Sequence, residues 1–312
     1  MIERPNPYDK RARAANATAT TGAPAMFFTG DGRPAYLNGL YAGRSAFLIA
    51  GGPSFAEDKA FPKEPLQAPG VITMAVNNAP KVLRPTLWTS VDVPEHFIRS
   101  IWLDPRIMKF CAYAHIDKHL LDNDSAVRNG TLYTPKETWV TLPDTPKTCP
   151  NTFFYARDGR FDAETFLTSS LFNWGNDGKT GRRSVLLVAL RQLIVLGITR
   201  IFLLGVDFNM TATNTYSFDQ GRLDPSVRKN NLTYKALQNW FTALRPKLEA
   251  AGVRVFNCNP ESRLTAFDYL PYHEALALVQ AEEMHDIDYA QENTRGLYDR
   301  KGRKEHGGGY TL

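Results

Sequence analysis

The most constraining feature of this chain is the segment 184–208. Ser184 precedes Val185-Leu-Leu-Val-Ala-Leu-Arg-Gln-Leu-Ile-Val-Leu196, which is apolar on almost every side. A helix with that pattern has no solvated face and must be buried against a larger element. Ser184 suits an N-cap, and Gly197 stands where a left-handed C-terminal cap belongs. Arg200-Ile-Phe-Leu-Leu204 then reads as a strand ending in Gly205-Val206-Asp207-Phe208. A buried helix feeding a strand is part of a βαβ unit and requires a mostly parallel sheet to cover.

The remaining sequence supplies that sheet. Residues 45–50, 71–76 and 86–91 are short continuous apolar runs, as expected of strands buried on both faces. They end in Gly51-Gly52-Pro53-Ser54, in Asn77-Asn78 and in Asp92. Residues 107–113 are a further candidate strand. An amphipathic helix is expected over 234–251, kinked or broken by Pro246 and closed by Gly252, before a strand over 253–256. The fold class expected is α/β, a doubly wound, mostly parallel sheet, within residues 26–282. Within that span, 26–45 reads as a loop-rich lead-in, 122–158 as turns, 161–173 as a short helix and 176–181 as a flexible loop. Residues 1–25 lack periodicity and read as a flexible arm, and 283–312, charged and Gly-rich, as a mobile tail.

Composition removes several classes. With 43% hydrophobic and 12% aromatic residues, disorder throughout is excluded. No apolar run approaches the roughly 18 residues of a membrane span, and the polar first residues carry no apolar signal core. Cys111, Cys149 and Cys258 are odd in number and far apart, which argues against a disulfide framework and a Cys-x-x-Cys zinc site. A reducing, cytoplasmic setting is expected. The net charge of +5 suits an anionic ligand or a polyanionic surface without demonstrating nucleic-acid binding. G-x-S-x-G and H-E-x-x-H signatures are absent. His115 and His119 are four residues apart, but Ile116 stands where a metalloprotease motif needs an acid, so a solvated pair is expected and no metal site.

In an open parallel sheet the ligand crevice lies outside the carboxyl ends of the strands. Gly51 and Gly52 would let backbone amides approach an anion, with a following helix pointing its N-terminus there; a ligand-free tight turn is the competing reading. Asp92 and Asp207 could each hold a ribose hydroxyl or a metal, or act as a base, and either could instead be a cap or turn residue. His96, just beyond a strand end, is a candidate for acid–base work. Lys179, Arg182 and Arg183, together with the N-terminus of the 185–196 helix, could neutralise a phosphate or be a solvated basic loop.

Several of these motifs, in order, resemble one family. Ala50-Gly-Gly-Pro-Ser54 resembles the glycine–proline–serine loop of the bacterial sialyltransferases of glycosyltransferase family 42. The loop also occurs in the related domain-of-unknown-function-115 proteins, which include a pterin diphosphokinase branch. Asn77, Gly205-Val-Asp207-Phe208, Tyr216-Ser-Phe-Asp219 and Asn257-Cys-Asn-Pro-Glu-Ser262 resemble further elements, across about residues 46–267. The resemblance implies a single Rossmann-like, GT-A-like domain that binds a nucleotide-sugar donor, a CMP-sugar in the sialyltransferases. It implies that Gly51, Gly52 and Ser54 line the phosphate and ribose, that Asn77, Arg182 and Ser184 lie at the nucleotide, and that Tyr216 bonds the leaving phosphate. The chain departs from the pattern at Gly51 for the loop asparagine, Asn209 for a second tyrosine and Arg228 near the catalytic histidine. An acid–base role then passes to Asp92, His96 or Asp219.

The expectation is a nucleotide-sugar-dependent glycosyltransferase acting on an unknown hydroxyl acceptor, which could be a glycan, a small molecule or a modified nucleic acid. The alternatives are a diphosphotransferase on a pterin-like alcohol, with Mg²⁺ on Asp92 and Asp207, and a non-catalytic nucleotide- or nucleic-acid-binding module.

Overall fold

The computed structural model describes residues 25–56, 58, 60–122, 140–175, 182–211, 216–218 and 224–282. The 1–25 arm, but for Ala25, and the 283–312 tail lie outside them, as do Lys179 and Asp219. The apolar runs become the centre of a ten-stranded sheet. Its strands are β1 (Phe27–Phe28), β2 (Pro34–Ala35), β3 (Ser45–Ile49), β4 (Ile72–Val76), β5 (Leu87–Ser90), β6 (Met108–Ala112), β7 (Thr152–Tyr155), β8 (Arg200–Leu204), β9 (Arg254–Asn257) and β10 (Asp268–Tyr269). The order is β10-β9-β8-β3-β4-β5-β6-β7-β1-β2. Strands β3 to β10 pair in parallel, while β1 and β2 add antiparallel to the β7 edge.

Alternation along each strand feeds two cores. Ala46 and Leu48 of β3, Met74 of β4 and Ile201 and Leu203 of β8 face one side. There they meet helix α2 (Val185–Val195) and Leu237, Phe241, Leu244 and Leu248 of α3 (Asp224–Ala250). Phe47, Ile49, Trp88, Phe202 and Leu204 face the other side. That side is covered by α1 (Arg99–Leu103), α4 (Tyr272–Gln280) and short 3₁₀ turns. The chain is thus an α/β domain with a mostly parallel Rossmann-like sheet covered on both faces. From β3 the chain winds outward through β4, β5, β6 and β7, then returns to place β8 on the other side of β3. The winding reverses between β3 and β8, the place where open α/β sheets hold ligands.

Helix α2 forms as expected: Ser184 Oγ accepts from the Leu186 N–H at 3.1 Å, and Gly197 takes φ +94°. Other expectations need correction. Residues 26–45 are more than a loop, because Phe27, fully buried, packs its ring against Phe110 and Phe172 and so fixes β1. Strand β7 lies inside the stretch read as turns; four residues behind Pro150-Asn151 are too few to show a period. Residues 161–173 form turns ending in a short strand instead of a helix. Asp162 there accepts from Glu164 N and Thr165 Oγ1, a local bonding pattern that competes with helix. Helix α3 begins at Asp224, ten residues before the expected start at Tyr234, and runs through Pro246 unbroken. His115 is buried, so His115 and His119 are not a solvated pair. The three cysteines are free and buried.

Candidate functional site

Strands β3 and β8 stay zipped beyond their ends. Ala50 N–H donates to Leu204 O at 2.9 Å, and Gly52 N–H to Gly205 O at 2.8 Å. Asp207, 8% exposed, then locks the turn. Its carboxylate accepts from the Ser54 N–H at 2.9 Å, from the Ser54 hydroxyl, and from Asn259 Nδ2 at 2.8 Å. The glycines serve this closeness. A Cβ on Gly52 would press on the Gly205 carbonyl and stand 2.7 Å from Asp207 Oδ2. Gly205 has φ +63°, and a Cβ there would lie 2.5 Å from Ala50 O. After Gly52 the chain makes a single 3₁₀ turn, Pro53–Ala56, in place of the expected helix. The helix terminus at the crevice belongs instead to α2, at Ser184.

A cavity of about 440 Å³ opens over these strand ends. Gly51, Gly52 and Asp207 form part of its floor, with Asn77 and Asp92 from the ends of β4 and β5. Ser184 and Arg183 stand at the α2 end, Lys229 and Tyr234 come from α3, and Tyr216 and Phe218 close one side. The Tyr216 and Phe218 rings stack at 5.2 Å and 5°. Ser217 N–H donates to Gly51 O at 3.0 Å, and a Cβ on Gly51 would stand 2.9 Å from Phe218 Cε1, so glycine admits the aromatic pair. Asn77 holds φ +52°, fixed by its own N–H on Thr89 O and by Trp88 Nε1 donating to its carbonyl at 2.7 Å. Its buried Oδ1 accepts no hydrogen bond among the described residues, an acceptor left for a donor in the cavity.

Asp92 is positioned from behind. The carbonyl of Val91 accepts from Arg157 Nη1, and His115 Nε2 lies 3.3 Å from the same oxygen. Burial, then the Arg157 charge, hold the His115 pKa below the ordinary histidine value, and the Val91 contact opposes them only in part. The neighbouring Tyr155 hydroxyl donates to Ser90 O at 2.7 Å, and burial raises its pKa. The guanidiniums of Arg157 and Arg183 lie over the Trp174 ring, 4.0 and 5.0 Å from its centroid. This ring joins the β7 end of the site to the α2 end.

The structure therefore gathers Gly51, Gly52, Asn77, Asp92, Ser184, Asp207 and Tyr216 at one cavity. Ser54 is not in its lining and is engaged with Asp207. His96 is exposed outside the lining, and only its carbonyl reaches inward, accepting from Asn78 Nδ2. Of the basic pair before α2, Arg183 and not Arg182 lines the cavity. Sequence reasoning missed Phe208, Lys229 and Tyr234. The polar first turns of α3 hid Lys229, while the positive φ of Phe208 (+52°), which stacks it on Tyr234 at 5.0 Å, has no sequence signature. A Mg²⁺ ion of a diphosphotransferase would be held by Asp92 and Asp207. Both Asp207 oxygens accept hydrogen bonds, and no group of three His, Cys, Asp or Glu among the described residues could hold a metal.

No protein-family model matches the chain, and no curated protein matches it, so the resemblance to glycosyltransferase family 42 and the pterin diphosphokinases finds no counterpart there. Among solved structures, a mammalian sialyltransferase in complex with Gal-beta-1-3GalNAc-ortho-nitrophenol aligns over 71% of this chain and 70% of its own, with TM-score 0.34 and 11% identity. Likeness that slight leaves fold and site to rest on the chain's own topology and residues. No helix among the described residues is long and apolar enough to cross a membrane.

Proposed function

We propose that the chain is a nucleotide-sugar-dependent glycosyltransferase whose donor occupies the switch-point cavity. One observation carries the reading: a single space of about 440 Å³ is lined by Arg183, Lys229, the N-terminus of α2 and Tyr216, and also by Asp92. The cations and helix amides suit a phosphate and the charge that grows on it as it leaves. Strands β3 and β5 are two steps apart in the sheet, so Asp92 stands about 10 Å from the glycine turn, room for a sugar between them. In the reaction, the acceptor oxygen attacks the anomeric carbon and its proton passes to Asp92. The bond from the anomeric carbon to the phosphate oxygen breaks, and its electron pair leaves on the phosphate. Tyr216 and Arg183 then hydrogen-bond that phosphate. Asn77 Oδ1 accepts from the donor, whether from base or sugar. The buried free thiols fit the reducing, cytoplasmic setting proposed for the chain.

The test is release of free nucleotide from CMP-, UDP-, GDP- and ADP-linked sugars, with water as the surrogate acceptor. One donor should be consumed, and Asp92→Asn should slow that step by about 100-fold or more with donor binding retained. Wild-type turnover by Asp92→Asn removes Asp92 as the base; no binding and no turnover of any donor removes the transferase.

A further inference from the structure

Beside the switch-point cavity lies a second concavity of about 610 Å³. One face of α3 forms its floor: Asn231, Tyr234, Lys235, Gln238 and Asn239 line it at successive spacings of three, one, three and one residues. Phe208 and Arg263 complete the lining, and Arg263 is tied down by its N–H, which donates to Asp207 O at 2.9 Å. Phe208 and Tyr234 stack at 11° and line both spaces, so this ring pair is the partition between them.

The chemistry of the second space is one-sided. No carboxylate lines it. Lys235 and Arg263 are exposed, and among the described residues no carboxylate pairs with either. The amides around them are fixed. Asn231 exchanges two hydrogen bonds with the Met210 backbone, at 3.1 and 2.8 Å, and Gln238 accepts from Thr265 N and donates to Thr265 Oγ1, at 3.0 and 3.1 Å. Arg228, also exposed, stands seven residues before Lys235, two turns or about 10 Å along the same face. From residue 225 to 248 the sequence holds no Asp or Glu. A row of cations beside fixed amides and stacked rings matches what tracks the phosphates and bases of a single strand. The concavity, about 610 Å³, has room for a splayed nucleotide.

We propose that this face of α3 binds single-stranded nucleic acid, with phosphates on Arg228, Lys235 and Arg263 and one nucleotide unit against the Phe208–Tyr234 partition. In the role of glycosyl acceptor the strand rests on the transferase reading; as a bound ligand it does not.

The test is fluorescence anisotropy of the full chain with a labelled single strand of about fifteen nucleotides, between about 50 and 200 mM salt. Binding should weaken steeply with salt. The double charge reversal Lys235→Glu, Arg263→Glu should weaken it at least tenfold and lower the slope of log affinity against log salt by about 1.4, about 0.7 per lost contact. Both side chains are exposed, so the melting temperature should stay at the wild-type value, which separates lost binding from lost folding. No binding at about 50 mM salt, a double variant equal to wild type, or a duplex of the same sequence bound as tightly would overturn the proposal. Binding of the strand without binding of any nucleotide sugar keeps this inference and removes the transferase; binding of a nucleotide sugar without the strand does the reverse.

Discussion

At the amino ends of β3 and β8 the Glu282 carboxylate accepts from Ser45 N–H at 3.0 Å, Arg44 Nε at 2.9 Å and Arg200 Nη2 at 2.8 Å. At the carboxyl ends of the same two strands, among the described residues, Asp207 accepts from neutral donors, on Ser54 and Asn259. Both carboxylates tie β3 to β8, but their surroundings differ. At the amino end the nearby guanidiniums are consumed by the acid, and the end is closed. At the carboxyl end Arg183 and Lys229 face a cavity, and no ion pair joins them to a carboxylate among the described residues. Two ends of one seam thus separate a task of stability from one of binding, and charge left over at an open strand end is the mark of the latter.

The most damaging change to this contrast is at Gly52. Gly52→Ala forces a methyl group against the Gly205 carbonyl and the Asp207 carboxylate. A loss of about 3 kcal/mol in denaturant unfolding is expected, with loss of nucleotide binding. Next is Glu282→Gln, which removes the charge from the closed end. It should cost about 2 kcal/mol and leave nucleotide affinity at the wild-type value. Burial raises the Glu282 pKa, but hydrogen bonds from Ser45, Arg44 and Arg200 outweigh it and hold the group below 4.5. The unfolded chain therefore binds the extra proton first. The stability that Glu282 contributes is complete above pH 4.5 and is lost as the pH falls below it, a slope that Glu282→Gln should flatten in acid titration of the unfolding free energy.

Arg183→Ala probes the contrast from the open side. It should weaken nucleotide binding about tenfold, or 1.4 kcal/mol, by calorimetry, with the unfolding midpoint unchanged. A separate pH test concerns a buried cation remote from both ends. Lys109 donates to Asp104 O at 2.7 Å and Ile107 O at 2.9 Å, and burial pushes its pKa down to about 8 from 10.5. Between those values the unfolded chain holds more protons, so stability should rise with pH from about 8 to 10.5, and Lys109→Met should abolish that rise.

The parallel core was legible because its strands are buried on both faces and so are apolar at every position, as in Phe47-Leu48-Ile49 and Ile201-Phe202-Leu203. Helix α2 was legible for the same reason, with its cap at Ser184 and its stop at Gly197. From these runs the strand-end residues Gly51, Asn77, Asp92 and Asp207 could be named. The hidden elements lacked a period. Strand β7 is short, and in the first turns of α3 the polar Lys229, Asn230, Asn231 and Thr233 border cavities instead of the core. Roles were harder to read than positions. A serine in a glycine turn suits a phosphate, but Ser54 bonds Asp207, a partner 153 residues away that only the sheet order brings near. His96 follows a strand end in sequence, yet the turn Pro94–His96 carries its side chain outward.

Every role proposed for the open end requires a phosphorylated nucleoside at the carboxyl end of the β3–β8 seam. Thermal unfolding of wild type and Arg183→Ala with saturating CMP-, UDP-, GDP- and ADP-linked sugars tests this directly. At least one donor should stabilise the wild-type chain, by about 2.7 kcal/mol at a hundred times its Kd, and Arg183→Ala should lose about half of this gain at the same concentration. A wild-type unfolding curve unmoved by all four at millimolar concentration would contradict it.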